Sequence, residues 1–91
     1  MVNETDCEHQ LFGIKQDADR YRQVEAGIAA TQKELDRLTA MHAPAAEIAF
    51  VQGELSDQLD QLEQISREGQ AAVDEFRGEC GGHHLPVLPW E

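Results

Sequence analysis

The sequence predicts an all-α fold: two long antiparallel helices forming a coiled-coil-like hairpin, followed by an extended C-terminal tail. Two such hairpins are expected to pair into a four-helix bundle. Three observations carry this. Apolar residues recur in steps of three and four over residues 5–41 and again over 45–80, the spacing of a single helix face. One interruption, "MHAPAAE", divides the runs. The two runs also mirror each other when the chain is folded at that point.

The first helix, 5–41, carries the stripe Cys7, Leu11, Ile14, Ala18, Tyr21, Val24, Ile28, Thr31, Leu35, Leu38. Thr5 followed by Glu8 has the form of a capping box, in which each residue satisfies an amide at the helix start. A turn at 42–44 follows. Pro44 has no amide to donate and suits the first turn of a new helix. The second helix, 45–80, carries Ile48, Val51, Leu55, Leu59, Leu62, Ile65, Gly69, Ala72 or Val73, Phe76, Cys80. Gly81 and Gly82 are expected to end it through a left-handed cap.

In an antiparallel hairpin, facing residues have numbers with a constant sum. Leu38 with Ile48, Leu35 with Val51, Val24 with Leu62 and Tyr21 with Ile65 all give 86. Ile28 with Leu59, Ala18 with Gly69, Leu11 with Phe76 and Cys7 with Cys80 give 87. Both stripes contract to three-residue steps at the same level, near Tyr21–Val24 and Leu62–Ile65. Shared breaks of this kind point to one αα-hairpin. The whole chain, 1–91, reads as a single domain, with 81–91 as a proline-punctuated tail.

A lone pair of helices buries little for its length, so the fold calls for support from a second copy, a partner, or a staple at the open end. Small residues off the main stripe (Ala26, Gly27, Ala29, Ala30, Ala40, Ala46, Ala49, Gly53) permit close helix approach. Phe50 would be exposed in a single hairpin. A four-helix homodimer, or a partner helix, on this loop-proximal face is the expectation.

Charge restricts the partner. The net charge of −11 disfavours direct contact with nucleic acid or an anionic membrane, both of which call for Lys/Arg patches. No stretch approaches a membrane span. The N-terminal "MVNETDCEHQ" lacks the features of a signal peptide. Cytoplasm is therefore the expected location, where cysteines stay reduced. Residues 44–91 hold ten acids and two bases. Within them Glu54, Asp57, Asp60 and Glu63 recur every third residue as a winding acidic ribbon, suited to a protein partner with a basic surface.

No phosphate-binding glycine loop, nucleophile elbow or zinc-enzyme helix motif is present. A narrow two-helix rod also lacks a cleft in which to perturb a carboxylate, so an enzyme is not expected. The remaining chemistry lies at the open end. Register brings Cys7 opposite Cys80, with His9 close in sequence and His83 and His84 beyond the glycines. Three outcomes are open: reduced cysteines packed in the core, a disulfide, or a structural zinc held by Cys7, His9, Cys80 and His83. No cofactor is required. Trp90, the single tryptophan, either docks on the bundle or anchors a partner.

The leading functional expectation is a small acidic protein-binding module, a prokaryotic or phage-type inhibitor that occludes a basic, nucleic-acid-facing surface. Its partner-binding candidates are Glu54, Asp57, Asp60 and Glu63, with Trp90 as a further anchor; Phe50 and Ala30 are the candidates of the alternative that follows. The alternative is a structural adaptor, assembly chaperone or scaffold coiled coil. A zinc- or redox-responsive switch is a third.

Overall fold

The helical stripes fold as two helices, α1 Glu4–Ala40 and α2 Ala45–Cys80, packed side by side as a hairpin. The computed structural model describes residues 4–81 and 85–91. Its extents are 60 × 17 × 16 Å, and the described residues contain no strand. Apolar spacing at 3.6 residues per turn gives each helix one inward face, and the long polar runs occupy the other.

The turn is built without glycine. Ala43 donates its amide to the Leu38 carbonyl at 3.0 Å and His42 donates to Thr39 at 3.1 Å, the paired bonds of a Schellman cap. His42 holds the left-handed position that this cap demands, at φ 54°. Pro44 precedes α2 as its N-cap residue, at the end of the expected 42–44 turn, and its carbonyl accepts from Glu47 and Ile48. Thr5 lies inside α1, not at its cap, because the helix already includes Glu4. Gly81 closes α2 in a right-handed conformation, φ −54° and ψ −15°, so the left-handed stop expected there is not made at Gly81. Gly82 lies outside the described residues.

Burial is unequal along the rod. Near the open end, Cys7, Ile14, Val73, Phe76, Cys80 and Leu88 form one buried cluster, with Leu11, Ala72, Leu85 and Trp90 packed against it. In the half nearest the turn only Leu38 and Val51 are buried, while Ile28, Leu35, Ile48 and Leu55 are half-exposed.

One stripe position differs from the sequence reading. Leu59 was expected to face Ile28, yet it is 49% exposed. The inward place goes to Gln58, whose Nε2 would lie 3.3 Å from a Cβ at Gly27. Residues 55, 58 and 62 keep the three-four alternation of a helix seam, and residue 59 lies about 100° round the helix from 58. Gln58 brings a polar atom inside, since its Oε1 is buried with no hydrogen-bond partner.

Candidate protein-binding face

The open end is closed by the chain itself. Cys7 and Cys80 form a disulfide, with an S–S distance of 1.99 Å and Cα atoms 5.9 Å apart. The mirrored register places the two cysteines within bridging distance, so in this state they are not the reduced pair expected of a cytoplasmic chain. Neither sulfur is a free thiolate here. His9 is exposed and lies about 200° round α1 from Cys7, and His83 is outside the described residues. Of the proposed zinc ligands among the described residues, Cys7 and Cys80 are bonded to each other in this state and His9 does not share their face. Among the described residues no cluster of three metal-ligating side chains occurs.

The tail crosses this end and binds both helices. Leu88 is buried in the cluster that contains the disulfide. Trp90 meets Tyr21 edge-on with centroids 5.9 Å apart and donates its indole N–H to Gln70 Oε1 at 3.2 Å. Arg22 donates to the Val87 carbonyl at 3.2 Å, and Arg77 reaches Glu91 at 3.4 Å. Trp90 fits because residue 69 is glycine: a Cβ there would stand 2.6 Å from the indole ring. The candidate partner anchor is therefore held within its own chain.

The half near the turn presents a different surface. Phe50 is 70% exposed and Met41 62%. Phe50 walls a groove of about 430 Å³ whose other lining residues include Leu38, Val51, Ala46, Glu47, Glu34 and Arg37. On α2, Glu47, Phe50, Glu54 and Asp57 follow steps of three, four and three, which place them on one stripe. On α1, Ala30, Glu34 and Arg37 are related in the same way, so exposed Ala30 continues the opposite rim. Arg37 binds Glu34 through two nitrogens, at 2.5 and 3.0 Å. That hydrogen bonding holds the Glu34 carboxyl below its usual range and raises the Arg37 guanidinium.

The acidic ribbon does not act as one edge. Each three-residue step turns about 60° round the helix, so Glu63 lies roughly opposite Glu54. Glu63 is also engaged by Arg67 at 2.5 Å. Glu54 and Asp57 remain beside Phe50, and Asp60 points from the back of α2. None of these three has an ion-pair or hydrogen-bond partner among the described residues.

The sequence reading kept Phe50 and the acids apart as rival surfaces. The structure unites them, and the spacing of 47, 50, 54 and 57 already held the signal. Farther along the same face, the seven-residue steps from Glu54 reach Gln61, Glu68 and Glu75. Two more hollows there are lined by polar side chains, among them Gln23, Gln61, Gln64 and Gln10. Apolar side chains floor these hollows too, Val24 and Ile65 in one and Ile14 and Ala72 in the other; the turn end differs in the exposed aromatic Phe50 beside its carboxylates.

The chain matches no protein-family model, and no curated protein or solved structure is similar to it. No helix among the described residues is long and apolar enough to cross a membrane.

Proposed function

We propose that the chain is an acidic helical-hairpin module that binds a protein partner with a basic surface and occludes it, in the manner of a small inhibitor acting in the cytoplasm. The observation that carries this reading is exposed Phe50 standing between Glu47, Glu54 and Asp57 on one stripe of α2. An apolar group that contributes area, ringed by carboxylates that set orientation and encounter rate, is the composition of a binding hot spot for a cationic partner. Arg37 does not reverse the sign of this face, since Glu34 already occupies its guanidinium.

The test uses an amphipathic lysine- and leucine-rich peptide as probe. Binding should weaken steeply as salt rises and should be lost when Glu54 and Asp57 are changed to Lys. Salt-independent binding that survives the charge reversal contradicts the reading.

A second reading has its own support. Half-exposed Ile28, Leu35, Ile48 and Leu55 leave the loop-proximal seam open, as in one half of a four-helix homodimer or a scaffold coiled coil. In that case Ala30 and Phe50 contact a second copy and the charge serves solubility. Phe50→Ser would then convert a dimer to a monomer, whereas charge reversal would not.

A further inference from the structure

We propose that the Cys7–Cys80 bond and the C-terminal segment form a redox-controlled strap, in which the docked segment guards the bond and reduction of the bond frees the segment. This does not rest on the basic-partner reading, which concerns the other end of the rod.

Two sets of contacts point to it. The seat of the tail is made by both helices at once: Tyr21 and Arg22 come from α1, and Gly69, Gln70 and Arg77 from α2. The disulfide is the covalent tie at the end of the rod, in the cluster where Leu88 is buried, and the Trp90 seat lies farther along the same two helices. Conversely, both cysteines are 4% exposed, and Leu88 shares their buried cluster. Thiol–disulfide exchange needs a thiolate to reach a sulfur, so the tail must lift before the bond can be attacked. Docking and disulfide therefore favour each other.

The chemistry requires a dithiol reductant. One of its thiolates attacks the sulfur of Cys7 or Cys80, and a mixed disulfide forms as the Cys7–Cys80 bond breaks. Its second thiolate then displaces the attached cysteine. Two electrons and two protons pass to the chain, leaving two cysteine thiols and one disulfide in the reductant. Untethered, the last turns separate, Leu88 loses the buried cluster it shares with the sulfurs, and the segment peels from that end until Trp90 also leaves its seat. In a reducing compartment this open form is the resting state, and oxidation closes it.

Trp90 is the only tryptophan, so its emission reports the strap. The oxidised 91-residue chain is treated with dithiothreitol while tryptophan emission, helical circular dichroism and thiol alkylation are followed. Wild type should reduce slowly, with emission shifting to the red as thiols appear and most helicity retained. Gly69→Ala evicts the indole while favouring the helix, so it should emit red from the outset and reduce at least about ten-fold faster. Unchanged emission after full reduction overturns the proposal, as does a Gly69→Ala variant that reduces at the wild-type rate. Wholesale loss of helicity on reduction also overturns it, because the bond would then hold the entire fold and not a strap.

Discussion

The two halves of the hairpin start from similar stripes and are finished differently. In the open half, the inward face of Ile14, Ala18, Val73 and Phe76 is sealed by a third layer, the tail, and tied by a disulfide. In the half near the turn, aliphatic residues of the same kind stay half-exposed, a glutamine occupies the seam, and Phe50 points outward. Two helices alone do not bury a stripe as wide as the one these carry, because each needs about 100° of cover. Where the chain supplies that cover itself, the surface is finished. Where it does not, apolar groups stay exposed, and the proposed function assigns them to a partner.

Substitutions should separate the halves. The largest loss is expected from Cys7→Ser with Cys80→Ser, because the bond closes a loop of 73 residues. By loop entropy it should cost about 4 kcal/mol in a thermal or urea melt. Phe76→Ala should cost about 3 kcal/mol as a cavity in the sealed cluster, whereas Leu55→Ala in the open seam should cost about 1–2 kcal/mol. Equal costs would erase the distinction between the halves. Gln58→Leu should stabilise the loop-proximal half by about 1 kcal/mol, since it removes a buried oxygen without a partner. His42→Gly should gain a few tenths to about 1 kcal/mol by relieving a left-handed non-glycine residue. Smallest of all, Phe50→Ser should change stability by less than about 0.5 kcal/mol while weakening probe binding.

The hairpin was legible because its information is periodic. Steps of three and four define a face, and two mirrored faces define a register, which placed Cys7 opposite Cys80. The seam at residue 58 was not legible, because a leucine stands beside a glutamine and hydropathy favours the wrong one. Only the strict alternation 55, 58, 62 resolves it. The cap at His42 was hidden for a related reason: its hydrogen bonds, not its residue type, define it. The seat of Trp90 depends on a missing methyl at Gly69, which a stripe of letters shows as a weak apolar position. Phe50 and the acids were each visible, and their union required following the turn of the ribbon round α2.

Native-state hydrogen exchange on the isolated, oxidised chain tests the central claim most directly. Amides of the sealed half, residues 12–18 and 69–78, should be protected at least about ten-fold more than those at 28–36 and 48–58, because opening there breaks the third layer and the covalent tie. Equal protection along both helices, or stronger protection beside the turn, would contradict a hairpin that seals one half and leaves the other open.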